Sequence, residues 1–333
     1  MSVSLADIAA KAEVSIGTVS HVLNGNRAAR IAPGTQARIR RIADDMGYRP
    51  NVFARHLLGK PNMTLAILFP GSQNPFYLSV ARQVEIAAAD AGYRLFTVLQ
   101  PWLHPHAAQP EMWPVDGIFI WAPHFPDLQS MLGSVMSKTP VVHIGYQVRD
   151  ATEHVRFDLA GGARLAVNHL IERGYRRIAC AIPEEDKNRS LPDLRWLAYL
   201  ETCREIGLRP ENVEVELEGN RQTAGFRLGQ RLAKMNPAER PEAVFVTGDM
   251  AAIGVYHGAL QGGLRIPDDL AIVGFDGIEE GQVLDRALTT VLCPVETFGA
   301  AAAAVMVARL TDGADKPPQQ IMIPTSLIVG QTT

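Results

Sequence analysis

Apolar residues recur along this chain in two different rhythms, and the change between them falls near residue 60. In the first stretch the spacing is helical. Leu5, Ile8, Ala9 and Ala12 mark one face, then Val19, Val22 and Leu23, then Ile39, Ile42, Ala43 and Met46. Ser4 with Asp7 three positions on reads as a capping-box start. Glu13-Val14 reads as a turn, Ser15 as the cap of the next helix and Asn24-Gly25 as its end. Pro33 opens a third helix and Gly47 stops it. Two helices joined by a tight turn and braced by a third predict a helix-turn-helix head over residues 1–49.

From residue 64 short apolar runs alternate with amphipathic stretches. Strands are predicted at 64–69, 93–99, 117–121, 140–144, 177–182, 243–247 and 270–275. Helices are predicted at 75–91, 161–173, 194–206, 223–235 and 249–261. Such alternation implies parallel sheets covered by helices on both faces, and some 270 residues of it implies two lobes. Ligands in this architecture sit beyond the carboxyl ends of the strands. Between head and body, residues 50–61 form a connector too apolar for a flexible linker and too short for a stable free helix. Four prolines within residues 100–114 exclude a continuous helix there and predict an irregular loop.

Charge sharpens the division. Residues 1–60 hold nine Lys/Arg and four Asp/Glu, a net of +5, and the remainder holds 23 against 31, a net of −8. A basic head on an acidic body points the head at a polyanion. The three cysteines, Cys180, Cys203 and Cys293, form neither a disulfide framework nor a metal-binding pair. No apolar run is long enough to span a bilayer, and the N-terminus has no signal-peptide pattern. A cytoplasmic protein without a membrane partner is expected. No nucleophile-elbow, P-loop, zinc-protease or dinucleotide-binding motif is present, and His104 and His106 have no companion ligands. Neither an enzyme, a metal site nor a cofactor is expected.

The segments LADIAAKAEVSIGTVSHVLNG and GYRPNVFARHL resemble the lac repressor/galactose repressor family. So do Asn74-Pro75-Phe76, Val115-Asp116-Gly117, GARLAVNHLIERGYRRIA from 162, GDMAAIG from 248, IPDDLAIVGFD from 266 and Leu288-Thr289-Thr290. The matches run in order along nearly the whole chain. The resemblance implies an α/β protein with an all-α helix-turn-helix head, a hinge at 50–61 and a two-lobed periplasmic-binding-protein-like body at 62–333. Lobe 1 is expected at about 62–158 and 294–315, and lobe 2 at about 161–291 and 319–330. Crossovers are expected near 158–161, 291–295 and 313–320, with a helix at 296–311 returning to lobe 1 and a strand near 321–329 to lobe 2. It implies a homodimer on a double-stranded DNA operator, switched by a small-molecule effector. No leucine heptad follows residue 311, so a dimer is expected rather than a tetramer.

In a helix-turn-helix the second helix enters the major groove by its N-terminal residues, here Ser15, Ile16, Gly17, Thr18, Ser20 and His21. Ser15, Thr18 and Ser20 suit phosphate contacts, and Ser15 and Thr18 also suit plain helix capping. The family's usual base-reading positions are occupied by Ile16 and Gly17, and His21 stands where an arginine is common. Ile16 suits a thymine methyl and His21 a guanine, while Gly17 has no side chain to read with. Asn24 and Tyr48 complete the expected DNA face, with Arg27 and Arg30 in a loop at 26–32 that is longer than usual. By the resemblance, the hinge contributes Asn51, Ala54 at its partner and Leu57 as a minor-groove wedge.

For the effector, the resemblance singles out Phe76, Asp158, Arg195, Arg221, Asp249 and Asp276. Phe76 suits stacking on an apolar ligand face. Arg195 suits gripping ligand oxygens, and the acids suit accepting hydroxyl hydrogen bonds. Asp158 and Asp249 equally suit helix N-caps. Two arginines in one cleft point towards an anionic ligand such as a sugar phosphate or sugar acid.

Overall fold

The computed structural model describes residues 3–23, 31–48, 61–69, 74–99, 113–121, 139–145, 152–183, 186–187, 192–214, 221–312 and 316–333. The chain divides into two compact units, Met1–Asn62 and Met63–Thr333.

The first unit holds α1 (Leu5–Ala12), α2 (Ile16–Leu23) and α3 (Pro33–Asp45). The predicted capping box forms. Ser4 Oγ accepts from Asp7 N at 3.3 Å, and the Asp7 carboxylate accepts from Ser4 N at 2.8 Å. Glu13 closes α1 in the left-handed region, at φ 53°. Ile8, Ala9, Ala12, Val19, Val22, Ile39, Ile42 and Ala43 form a separate buried core. Leu5, Leu23 and Met46 pack at its edge. Eight small apolar side chains make a modest core, and a side-chain tether adds to it: Arg38 Nη2 donates to the Ala12 carbonyl at 3.0 Å.

The second unit contains two six-stranded sheets. The first is ordered β11-β5-β4-β3-β1-β2, from β1 (Thr64–Phe69), β2 (Arg94–Leu99), β3 (Gly117–Ile120), β4 (Val141–Gly145), β5 (His154–Phe157) and β11 (Gln320–Ile323). The second is ordered β12-β10-β9-β8-β6-β7, from β6 (Ile178–Ile182), β7 (Glu211–Glu214), β8 (Ala243–Val246), β9 (Ala271–Asp276), β10 (Thr289–Leu292) and β12 (Ser326–Ile328). The described pairings are parallel except β10 with β12. The covering helices are α4 (Pro75–Asp90), α5 (Leu159–Glu172), α6 (Leu194–Glu205), α7 (Arg221–Ala233), α8 (Asp249–Gln261), the short α9 (Glu279–Gln282) and α10 (Val295–Asp312). Strands β1, β3, β6, β8 and β9 are buried along their whole length, which is why they read as continuous apolar runs. Helices α7 and α8 approach until backbones touch: a Cβ on Gly254 would stand 2.1 Å from the Gln222 carbonyl oxygen.

The chain passes between the sheets after β5, after β10 and after β11. The first two passages fall where expected. The third does not. Residues 320–323 pair with β5 in the first sheet, and only residues 326–328 join the second. The crossover is therefore at Pro324-Thr325, not at 313–320, and lobe 1 runs on to Ile323. The run at 321–329 reads as one strand, but Pro324 has no N–H to give a ladder and breaks it in two. The first and third passages are stitched together. Asp158 N donates to the Ile323 carbonyl at 2.8 Å, and Thr325 Oγ1 to the Asp158 carbonyl at 3.2 Å. Strands β5, β7 and β10 are not in the predicted set, because polar residues interrupt each four-residue run where β3 and β8 are continuously apolar. The expected loop lies outside the described residues over 100–112, as do His104 and His106.

Candidate functional site: an exposed recognition helix and an interlobe cleft

On the head, α2 carries its candidate side chains by helix position alone. Ser15 Oγ accepts from Thr18 N at 3.1 Å and lies 2.9 Å from Thr18 Oγ1. The capping use of these two residues is thus realised. Ile16 is 53% exposed, and Gly17 and His21 are exposed, while Ser20 is half-buried. A Cβ built on Gly17 has only Ser15 Oγ within 4 Å, at 3.7 Å, so the helix has room for a side chain there. Tyr48 packs against the head core. Asn24, Arg27, Arg30, Asn51, Ala54 and Leu57 lie outside the described residues.

In the body, a cleft opens between the two sheets, with about 750 Å³ of free space including the solvent at its mouth. Its walls come from the carboxyl ends of strands, the position parallel sheets reserve for ligands. The first lobe supplies an aromatic wall. Phe76 enters at the start of α4, Trp121 follows β3, and Phe157 ends β5. Phe76 meets Trp121 edge-on at 6.0 Å and Phe157 at 5.8 Å, and Tyr77 meets Trp121 at 5.3 Å. The second lobe supplies polar groups: Asp186, Arg195, Arg221, Thr247 and Asp276. A hydrogen bond spans the opening. Asn74, whose Oδ1 caps α4 by accepting from Phe76 N at 3.0 Å, donates from Nδ2 to Asp276 Oδ2 at 3.3 Å.

Of the six effector candidates, Phe76, Arg195, Arg221 and Asp276 line this cleft. Asp158 and Asp249 are not among the residues that line it. Asp158 caps α5, accepting from Gly161 N at 2.8 Å. Asp249 is fully buried behind the cleft. Its carboxylate accepts from Gly277 N at 2.8 Å, Ile278 N at 3.0 Å and Thr290 Oγ1 at 2.6 Å. It thereby holds the turn that aims Asp276 into the cleft. Asp276 needs that support, because its φ of 129° is a conformation L-residues rarely adopt. The Gly-Phe-Asp and Leu-Thr-Thr segments are thus two halves of one brace.

Burial pushes both carboxyls up. Asp249 rises to about 6, held back by its hydrogen bonds from Thr290, Ile278 and Gly277. Asp276 rises to about 8, driven by burial and then by the charge of Asp249, against the opposing pull of Arg195 and Asn74. Burial thus favours the protonated form of Asp276, which can donate as well as accept. Arg195 stands over the Phe275 ring at 5.2 Å and is tied to Asp193, a residue the sequence alone did not single out. Its signal is the Asp-Leu-Arg start of α6, where an N-cap acid falls two residues before the arginine. Arg221 stands 4.0 Å from the Asp186 carboxylate. Among the described residues no group of three or more His, Cys, Asp or Glu is placed to hold a metal ion. Among them also, no helix is long and apolar enough to cross a membrane.

A small three-helix head of helix-turn-helix pattern, carried with a two-lobed body around a ligand-sized cleft, defines a ligand-responsive DNA-binding protein. The profile described as "Bacterial regulatory proteins, lacI family" matches residues 4–51, and that of a periplasmic binding protein-like domain matches residues 167–333. The chain is 30% identical to the ribose operon repressor of Escherichia coli K12, over 92% of this chain and 93% of that one. It is 28% identical to the HTH-type transcriptional repressor PurR of Aliivibrio fischeri, over 93% and 92%. The lac repressor dimer bound to operator and the anti-inducer ONPF superposes with a TM-score of 0.84 at 21% identity, covering 100% of this chain and 99% of that one. The chain belongs to the LacI family of bacterial transcriptional regulators. The relatives it matches are repressors, not enzymes, and it is a DNA-binding regulator in that sense.

Proposed function

We propose that this chain acts in the cytoplasm as a homodimeric repressor that binds a pseudo-palindromic operator and is switched by a small, uncharged, hydroxyl-rich effector held between its lobes. One observation carries the reading. The cleft sets an aromatic wall on one lobe against hydrogen-bonding groups on the other, and Asn74–Asp276 already joins the two across the opening. Sugars present an apolar ring face and an array of hydroxyls, which such walls complement. The ribose operon repressor among the relatives agrees with this ligand class. The anionic ligand expected from two arginines is set aside, because Arg195 faces Asp193 and Arg221 faces Asp186.

On the DNA side, Ile16 and His21 would contact base edges, with Gly17 leaving a gap. Ser15, Thr18, Ser20, Asn24, Arg27, Arg30 and Tyr48 would hold phosphates. Asn51, Ala54 and Leu57 of two hinges would pair and wedge the minor groove. Effector and operator affinities are then reciprocally coupled, because a ligand that draws the lobes together changes how the two hinges are presented. A dimer is supported by exposed apolar side chains on edge strand β2 and adjacent α4: Phe96, Leu99, Leu78 and Ile86.

The test is selection of genomic fragments by the purified full chain at near-physiological salt. Enrichment of one pseudo-palindrome, released or tightened by a neutral sugar, is the expected outcome. Purely salt-sensitive binding without an enriched sequence would sink the operator reading. Sedimentation should give a mass of two chains; four would refute the dimer.

A further inference from the structure

The cleft's principal cation is not offered to the ligand as a bare charge. Asp193 is the N-cap of α6, and its Oδ1 accepts both from Arg195 N at 2.8 Å and from Arg195 Nε at 3.0 Å. Its Oδ2 accepts from Arg195 Nη2 at 2.6 Å. On the other side, Arg195 Nη1 donates to the Thr247 carbonyl at 2.5 Å. The two side chains are only 5% and 10% exposed. A forked, buried guanidinium–carboxylate contact of this kind fixes the plane of the arginine and cancels its charge. Backbone N–H and side chain converge on the same carboxylate because cap and arginine are two residues apart, so the helix start itself sets the orientation.

We propose that Asp193 is a specificity-determining positioning residue. By neutralising and orienting Arg195, it makes the cleft accept uncharged polyols and reject their phosphorylated or carboxylated counterparts. The inference rests on the effector cleft proposed above and adds its charge selectivity. Repulsion supplies the discrimination. An anion reaching Arg195 meets the Asp193 carboxylate directly behind it, with Asp186 on the same wall. Among the described lining residues, Arg195 and Arg221 therefore leave no surplus positive charge. A neutral hydroxyl pays no such penalty and gains from an acceptor-rich, preorientated wall. Without Asp193, Arg195 becomes an uncompensated buried cation, which is an anion site in waiting.

The experiment uses the full chain and inorganic phosphate as the probe. Thermal midpoints are followed against phosphate concentration at constant ionic strength. Wild type should respond to phosphate as it does to chloride. Asp193→Asn keeps both the cap and the side-chain shape. It should gain a saturable phosphate stabilisation tighter than wild type by about ten- to hundredfold, the worth of one charge-assisted hydrogen bond. Adding Arg195→Gln should abolish that gain, which a merely structural role for Asp193 does not predict. Asp193→Ser, another capping residue, replaces Asn if that variant fails to fold, and Asp193→Glu should restore rejection. In wild type, D-ribose should stabilise more than D-ribose 5-phosphate. Saturable phosphate binding in wild type that disappears in Arg195→Gln overturns the proposal, as does an Asp193→Asn variant no more responsive than wild type. Operator selection on the same preparations separates the two readings. A variant that still selects the operator but shows no change of charge preference defeats the specificity role alone.

Discussion

The head and the cleft solve the problem of presenting functional side chains in opposite ways. On α2 the exposed candidates Ile16, Gly17 and His21 are placed by their spacing in sequence, with slack around them. In the cleft they arrive from segments as far apart as Asn74 and Asp276 and are locked by buried hydrogen bonds. Even glycine differs between them. Gly17 in the head has open space where a Cβ would go, whereas Gly254 in the body has the backbone of α7. The lesson is that the head should tolerate change at its functional positions, and the cleft should not.

That contrast breaks first at Asp249. Asp249→Ala strands two buried backbone N–H groups and the Thr290 hydroxyl, and should cost the body about 3 kcal/mol or more in urea unfolding. A loss under about 1 kcal/mol would mean the brace is dispensable. Next, Gly254→Ala should lower the stability of the body by about 1–3 kcal/mol, because the new methyl must push α7 and α8 apart. A neutral result would show that this helix pair is looser than its backbone contacts indicate.

Asp276 sharpens the comparison through pH. Its carboxyl is raised in the folded state, so the native protein binds the extra proton and the stabilisation is full below the unfolded value near 4. It is lost as pH rises through about 8. Asp249 adds a similar loss up to about pH 6, so the Asp276 share is read between pH 6 and 8. Wild-type stability should fall across that window with a limiting slope of about 1.4 kcal/mol per pH unit, and Asp276→Asn should flatten it. Parallel curves for the two proteins would place the proton elsewhere. The smallest effect belongs to the head. Gly17→Ala should stabilise it by about 0.5–1 kcal/mol, through helix propensity in unoccupied space. A destabilised head would show that the N-terminal turn of α2 is tighter than it looks.

The head was legible almost residue by residue from its local pattern. Its caps, its turn at Glu13 and its buried set all follow from contacts within three or four positions, where local rules apply. The alternating body, its long apolar strands and four candidates that line the cleft were legible as well, because those signals are runs, periods or motifs. The features that were not legible involve partners distant in sequence. Asp249 stands one residue past the apparent cap, and nothing local says that it faces Thr290 rather than a ligand. The third crossover was hidden in a single apolar run, and its place was settled by which sheet edge each half could pair with. The charge of the cleft depended on Asp193 folding back onto Arg195, a geometry fixed by burial and three hydrogen bonds rather than by the presence of two arginines.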